Sequence, residues 1–599
     1  MPLNVINNSV DSLTKGEEKI LDKLKNIYKA ISNDAYLYIQ PKLNNLIPDF
    51  ILIDRVKGIC VLEVKDWSLD YIRSIDKRKV YLQDRIDDNP VFKTSKYVDL
   101  VNGFFASNDD LEFDSDMVFG RTVLPNISSE DFLKIENELT KNNIECILKD
   151  HFTKLSIDKI FCEEDFNLSY DELTTIRTVL FPEIKIHSQE DSNEDLDEII
   201  KALDIEQENF AKRVSYGHYM VTGVPGSGKS VILLARAIHL VRENPEWKVK
   251  IVTYNKSLAS KIQHSVDLVS KEINKNSLFY NINISNIEVE HFHKMANRVY
   301  NGVIDKDDKD WWSETLPNLA LKKAVPTYDA ILIDEYQDFR DSWIHLCIKL
   351  CREYTYTNNS NEEVKGINLF LAGDRLQSIY NSKVHNWSKD FGINMSGRSK
   401  LLKTSYRSGK ANTTLALKFL QENEDLIKEV NNFYKDNDKF SIRVRENDKS
   451  SIEFIDGGYD IVCDKVKEIL DTTSYTYEDI LVVCKSNYSC DKIYDKLASN
   501  IKHNSVSPKN STNKNINKPL IITTYHSSKG LESKVVILVD VDKFTTQLDY
   551  EKEIMDRKLL YVGITRSSEK LIIHASNYQD ESFATTVKNI YEEANVYSV

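Results

Sequence analysis

The stretch Tyr219-Met-Val-Thr-Gly-Val-Pro-Gly-Ser-Gly-Lys-Ser230 decides how this chain is read. An apolar strand runs into Gly223-x-x-x-x-Gly228-Lys229-Ser230, and the apolar helix Val231-Ile-Leu-Leu-Ala-Arg-Ala-Ile238 follows at once. That order makes a phosphate cradle. Gly223, Gly226 and Gly228 let backbone N–H groups turn toward bound oxyanions, and the helix N-terminus adds positive potential. Lys229 can reach the β- and γ-phosphates, and the Ser230 hydroxyl is placed for Mg²⁺. The pattern predicts a nucleoside triphosphate site.

The 599 residues around it are too many for one core and predict roughly three or four globular units. A hydrophobic content of 41% and a charged content of 29% are ordinary for a water-soluble globular protein. No apolar run approaches the roughly 20 residues that span a bilayer, so no membrane partner is expected. The start, Met1-Pro-Leu-Asn-Val-Ile-Asn-Asn, lacks the regions of a signal peptide. Eight scattered cysteines without a C-x-x-C pair fit reduced thiols, so a cytoplasmic location is expected. The net charge of −14 excludes binding by a bulk basic surface but leaves room for a local Lys/Arg groove.

Downstream of the cradle, Ala330-Ile-Leu-Ile-Asp334-Glu335-Tyr-Gln337-Asp338 is an apolar strand ending in carboxylates. Asp334 can hold a hydrated Mg²⁺, and Glu335 can take the proton from the attacking water. A third strand, Asn368 to Gly373, leads to Gln377, which can sense the γ-phosphate. Lys250-Ile-Val-Thr-Tyr254-Asn is a strand whose terminal aromatic can stack on an unpaired base. Upstream, Gln207 carries a donor and an acceptor that match the edge of adenine.

These elements together resemble the Q motif and motifs I, Ia, II and III of the UvrD/Rep-type superfamily 1 helicases. The resemblance continues through Leu401-Leu-Lys-Thr-Ser-Tyr406-Arg407, Ile521 to Val539, and Lys558-Leu-Leu-Tyr-Val-Gly-Ile-Thr565-Arg566. It implies that Tyr406 stacks on adenine, Arg407 reaches the γ-phosphate, His526 faces the DNA strand, Glu532 faces the ribose and Arg566 is the arginine finger. The implied fold is α/β, with two RecA-like P-loop lobes of parallel sheet at 201–400 and 401–599. The first lobe would hold a small insertion at about 265–325. After Tyr380 the family usually carries a Trp two residues on, and this chain has Ser382. The span from Arg407 to Thr523 leaves little room for the large subdomain that many relatives insert there.

The first 186 residues carry a second pattern. Thr14 to Ile27 has the period of an amphipathic helix. Phe50-Ile-Leu-Ile53 and Ile59-Cys-Val-Leu62, joined by Asp54-Arg-Val-Lys-Gly58, predict a β-hairpin. A turn centred on Val56 sets Asp49 opposite Glu63, with Lys65 on the same face. Two adjacent carboxylates repel unless a cation lies between them, which suits a divalent metal with Lys65 orienting a water. The same residues equally suit an ordinary ion pair at a strand end. Pro48-Asp49, thirteen residues, then Glu63-Val-Lys65 resembles the PD-(D/E)xK nuclease signature, and Gly16-Glu17 with Asp66-Trp67 is similar to the nuclease-related NERD domain. The resemblance implies a small α/β nuclease domain over 1–186. In it Glu17, Asp49 and Glu63 bind one or two Mg²⁺ or Mn²⁺ and Lys65 is the catalytic lysine. Where this group often has Gln, four residues before Tyr97, the chain has Lys93. The acidic stretch 187–200 is expected to be a linker.

The expected protein is an ATP- and Mg²⁺-dependent translocase moving 3′ to 5′ on single-stranded or partly duplex DNA, fused to a metal-dependent nuclease. The company of such fusions implies genome defence against phage or repair as a setting. A DNA-stimulated ATPase with a non-cleaving N-terminal binding module is the other reading, and no protein partner is implied.

Overall fold

Three six-stranded sheets succeed one another in the computed structural model. It describes residues 3–7, 12–31, 33–106, 115–139, 144–186, 201–212, 217–254, 256–275, 282–305, 307–357, 363–379, 385–405, 409–436, 439–440, 443–444, 450–510, 519–545, 549–577 and 582–596. Tyr406, Arg407, Ser382 and the expected linker 187–200 lie outside the described residues.

The N-terminal sheet is mixed. Its strands lie in the order Leu3–Asn7, Ala35–Ile39, Phe50–Asp54, Gly58–Val64, Val118–Leu124, Ile144–Leu148. Phe50 faces Leu62 and Asp54 faces Gly58, the register predicted from the turn at Val56, so Asp49 meets the level of Glu63 at the open end of the hairpin. Helix Lys15–Ala30 buries Ile20, Leu21, Leu24 and Tyr28 against this sheet and starts from a capping box between Thr14 and Glu17. Helix Pro90–Ala106 brings Lys93 and Tyr97 over the same hairpin.

The first parallel sheet has the order Ile287–His291, Val249–Thr253, Ala330–Asp334, Leu369–Gly373, Tyr219–Gly223, Ser399–Leu402. Helices cover both faces of such sheets, which is why the central strands are continuous apolar runs. Two features depart from the sequence expectation. Ser399–Leu402 pairs with the P-loop strand, so the first sheet takes in residues expected to open the second lobe. The stretch expected as an insertion at 265–325 contains Ile287–His291, an edge strand of the sheet itself. The alternating charges of Ile-Glu-Val-Glu-His suggest surface. Their partner is Lys250 on the next strand, which is fully buried and lies 3.1 Å from Glu288 and 2.6 Å from Glu290.

The second parallel sheet runs Ser451–Asp456, Ser567–Ala575, Ser533–Leu538, Ile480–Cys484, Leu520–Thr524, Ser505–Val506. Helices Lys410–Gln421 and Glu424–Tyr434 pack into its core through Leu415, Phe419, Leu420, Leu426 and Val430. Val224, Leu376 and Ile379 from the first parallel sheet's loops join that core, so the two sheets meet beside the P-loop. The N-terminal sheet and the first parallel sheet share a single apolar core that includes Ile51, Val61, Phe181, Ile232 and Val241.

Candidate functional sites

The P-loop sits at the carboxyl end of the first parallel sheet, where open α/β sheets bind ligands. Gly226 and Gly228 take φ of 72° and 81°, a region closed to most side chains. A Cβ on Gly228 would stand 2.6 Å from Gln207 Nε2, so the loop is also closely backed. Gln207 Nε2 donates to the Ser227 carbonyl at 3.0 Å, and its Oε1 accepts from the Asp204 amide at 3.1 Å as part of a capping box. Gln207, expected to read the adenine edge, here spends both amide groups on the helix cap and the P-loop, which it braces. Lys229 Nζ donates to the Gly223 and Val224 carbonyls, both at 3.0 Å.

Asp334 Oδ1 accepts the Glu335 amide at 3.0 Å, the Ser230 hydroxyl lies toward the same carboxylate, and Oδ2 is buried with no hydrogen-bond partner. Burial first and the Glu335 charge second push the Asp334 carboxyl above its usual range. An orphaned buried carboxylate oxygen beside a hydroxyl suits a hard cation, so the donors fit a Mg²⁺ carried with a triphosphate. Glu335 stands in a left-handed backbone conformation, φ 55°, and its side chain accepts from Gln337 Nε2. Burial works against its charge, but Lys529 and then Lys229 hold the Glu335 carboxyl below the usual range. Gln337 Oε1 in turn takes the Asp374 amide at 3.2 Å.

Three side chains from the second parallel sheet reach this cluster. Arg566, almost wholly buried, donates from Nη2 to Gln377 Oε1 at 3.2 Å and from Nε to the Val562 carbonyl at 2.9 Å. Tyr561 OH donates to Asp374 Oδ2 at 3.3 Å. Lys529 Nζ lies 2.6 Å from Asp338 Oδ2, 2.6 Å from the Gln377 carbonyl and 3.8 Å from Glu335. Lys529, Gln337, Asp338, Asp374 and Tyr561 all stand inside stretches that resemble motifs, but nothing in their spacing singles them out as the groups that join the sheets.

The remaining predicted residues of these two sheets have other neighbours. Tyr254 stacks on Trp343 with ring centroids 5.8 Å apart, and burial pushes its hydroxyl up to about 12. One ring face is thus already occupied. His526 is exposed, with its pKa lowered by partial burial. Glu532 forms an ion pair with Lys261 of helix Lys256–Lys275, a further bridge between the sheets. Ser405, next to the undescribed Tyr406 and Arg407, donates to the Pro225 carbonyl in the P-loop at 3.0 Å.

The N-terminal site gathers at the open end of the hairpin. Glu63 is fully buried, and its Oε1 lies 2.9 Å from Lys65 Nζ and 2.7 Å from Lys93 Nζ. Glu63 Oε2 is buried without a hydrogen-bond partner. Asp49 Oδ2 accepts the Val64 amide at 2.6 Å. Burial and then the Glu63 charge raise the Asp49 carboxyl well above its usual range, with a smaller push from Glu17. Burial opposes the charges of Lys65 and Lys93, yet Glu63 holds both ammoniums above their usual values. Glu17 Oε2 accepts the Thr14 amide at 2.7 Å and Oε1 accepts from Gln40 at 3.3 Å. The predicted acids are therefore neighbours, but among the described residues no three His, Cys, Asp or Glu side chains are drawn into a ready-made ligand set. Lys93, legible beforehand only as a departure from a pattern, is a participant in the site.

Comparison with known proteins bears on the two parallel sheets. Residues 206–383 match the model of an AAA domain, and residues 519–574 match that of the UvrD-like helicase C-terminal domain. Together they support a UvrD/Rep-type superfamily 1 helicase, and the AAA domain implies ATP with a divalent metal. No curated protein sequence matches the chain. Among solved structures, the C-terminal domain of a possible DNA helicase from Lactobacillus plantarum WCFS1 is similar at 16% identity. It covers 31% of this chain and 96% of its own, with a TM-score of 0.22. The PRRSV helicase is similar at 12% identity over 61% of this chain, which spans 53% of that protein, with a TM-score of 0.27. Likenesses this loose carry no argument. No helix of the described residues is long and apolar enough to cross a membrane.

Proposed function

We propose that the chain is an ATP-driven DNA translocase whose N-terminal domain, 1–186, is a metal-dependent phosphodiesterase, the motor occupying the residues from about 201 onward. The observation that carries the motor reading is the meeting of Arg566 and Lys529 from one sheet with Gln377, Asp338 and Glu335 from the other. ATP is the substrate and Mg²⁺ its companion, polarising the phosphates and neutralising developing charge. Gly226, Gly228 and the helix N-terminus cradle the phosphates, and Lys229 exchanges the loop carbonyls for phosphate oxygens. Ser230 and Asp334 hold the metal. Glu335, oriented by Gln337, takes a proton from the attacking water. Arg566, with Arg407 as its expected counterpart, stabilises the charge spreading over the γ-phosphoryl oxygens, worth roughly 10³ to 10⁵ in rate.

A trigger supplied across a cleft ties hydrolysis to closure. Cycles of closure move one sheet unit relative to the other along a strand. Single-stranded DNA is the proposed track, with His526 exposed to meet it and Tyr254 beside the sheet's carboxyl end. The eight free cysteines suit a reducing compartment such as the cytoplasm.

One observation favours the other reading of the N-terminal domain, that it binds DNA without cutting. Two lysines already occupy Glu63, where a nuclease needs ligand oxygens. The deciding experiment measures DNA-stimulated ATPase and Mn²⁺-dependent cleavage together in wild type, Lys229→Ala and Lys65→Ala. Lys229→Ala is expected to abolish ATP turnover and keep some cutting, and Lys65→Ala the reverse. Equal recovery of intact DNA from wild type and Lys65→Ala would leave the binding module as the correct reading.

A further inference from the structure

The acidic site of the N-terminal domain has one more cation than its pattern asks for. Lys93 reaches Glu63 Oε1 at 2.7 Å from helix Pro90–Ala106, and Lys65 reaches the same oxygen at 2.9 Å from the hairpin. The Lys93 ammonium lies 5.6 Å from the Tyr97 ring centroid, and Tyr97 is anchored by its hydroxyl donating to the Ile47 carbonyl at 2.9 Å. The lysine is thus fixed between a ring and a buried carboxylate.

Few of the site's carboxylate oxygens are without a partner. Glu63 Oε1 serves two ammoniums, Asp49 Oδ2 serves the Val64 amide, and both oxygens of Glu17 serve its own helix cap and Gln40. What remains is Glu63 Oε2, buried and unpartnered, and the second oxygen of Asp49. A Mg²⁺-type ion is commonly held by one or two carboxylates plus water and phosphate, so this donor set matches one ion and not two. Charge agrees. By formal charge, three carboxylates and two ammoniums leave the site at minus one. One divalent ion would bring it to plus one, and a second to plus three, against strong mutual repulsion.

We propose that Lys93 stands in for a second cation, so that the acidic site takes a single divalent ion between Asp49 and Glu63. This rests on the reading of that site as metal-dependent. Lys93 is a positioning residue here. It fixes Glu63 and supplies charge on the side where another ion would lie.

The test is Mn²⁺ binding to the full chain without nucleotide, followed by isothermal titration and by the electron paramagnetic resonance of free Mn²⁺. An Asp334→Asn background removes the motor's own metal site. One Mn²⁺ per chain is expected, lost in Glu63→Gln. Lys93→Gln is expected to bind that ion about tenfold tighter, because a neighbouring positive charge is gone, and to admit a second. Lys93→Arg keeps the charge and should keep one ion, which also guards against a fold defect in Lys93→Gln. Two ions in the Lys93 protein, or the same stoichiometry and affinity in Lys93→Gln, would overturn the role of Lys93 while leaving a metal site in place. Absence of any Glu63-dependent Mn²⁺ would take the metal-dependent reading down as well.

Discussion

Glu208→Gln is the substitution whose effect the structure specifies most closely. Glu208 has no exposed surface and accepts from Arg177 Nη2, with Lys212 Nζ 2.9 Å away. Lys212 lies 3.4 Å from Glu183, which also receives two hydrogen bonds from Arg242 at 2.7 and 2.8 Å. Burial alone would raise the Glu183 carboxyl, yet Arg242 and Lys212 bring it down to about 2. Two acids thus face three cations in a region closed to water, and removing one acid strands a further positive charge. Breaking a buried pair from one side costs about 3–5 kcal/mol. For a cooperative unit of about 400 residues, the two sheets that share one core, that corresponds to a melting shift of roughly 5 °C. Glu208 also follows Gln207, so slack in helix Ile205–Ala211 should reach the P-loop through the Gln207–Ser227 bond and raise KM for ATP. Differential scanning calorimetry supplies the first readout and steady-state ATPase the second. A chain of this size need not melt in one step, so the transition to follow is the one that the substitution moves. The double change Arg177→Met with Glu208→Leu should recover much of the loss, since an apolar pair leaves fewer charges stranded. A Glu208→Gln protein melting within about 2 °C of wild type would refute the claim that this network is a tight joint.

Two further outcomes follow from single residues. Lys529→Ala removes the ammonium shared by Asp338, Glu335 and the Gln377 carbonyl, and should weaken contact between the parallel sheets by about 2–5 kcal/mol. Small-angle scattering should then show a larger radius of gyration with lower ATP turnover, and an unchanged radius would count against the bridge. His239 is fully buried and its pKa is driven well below the usual value, by burial first and Arg236 next. The unfolded chain takes up a proton near pH 6.5 that the folded chain refuses, so this part of stability is complete above about 6.5 and falls on acidification. The slope is at most about 1.4 kcal/mol per pH unit. Melting curves from pH 7.5 to 5 should be flatter in His239→Gln, and parallel curves would exclude His239 as the cause.

What the sequence could disclose follows the range of the forces involved. The P-loop is local chemistry. Its glycines, lysine and serine sit within eight residues, and the backbone angles at Gly226 and Gly228 follow from steric freedom alone. The hairpin register was equally legible, because one turn residue fixes every pairing up to Asp49 and Glu63. Legibility failed where a residue's meaning depends on a distant partner. Ile287–His291 falls inside the expected insertion and becomes an edge strand only once buried Lys250 is beside it. Ser399–Leu402 pairs with Met220–Gly223 across some 180 residues, which no local pattern records. Lys529 lies between His526 and Glu532 in a stretch read for its DNA and ribose contacts. Its acids come from the other sheet and become visible only once the two sheets are assembled.

The joint around Glu208 bears on whether the two halves of the protein are modules at all. Arg177 and Glu183 belong to the last helical segments before 187–200, while Glu208, Lys212 and Arg242 follow it in the proposed motor half. Arg242 also donates to the Lys42 and Leu180 carbonyls, and Lys42 donates to the Glu243 carbonyl at 2.5 Å. Lys185–Ile186 pairs antiparallel with Lys201–Ala202, so the chain is held together on both sides of 187–200. A motor half beginning at 201 would therefore expose a face of the common apolar core. It would also leave Lys212 and Arg242 without Glu183, and Glu208 without Arg177. Domain interfaces that hinge freely are more polar and do not continue a core. The interface here is a continuation of one core stitched by buried ion pairs, so the acidic site and the P-loop are carried on a common scaffold. On the proposed translocase reading, the relative motion falls to the junction with the second parallel sheet, where a few polar bridges such as Lys529 and Arg566 meet a smaller apolar contact.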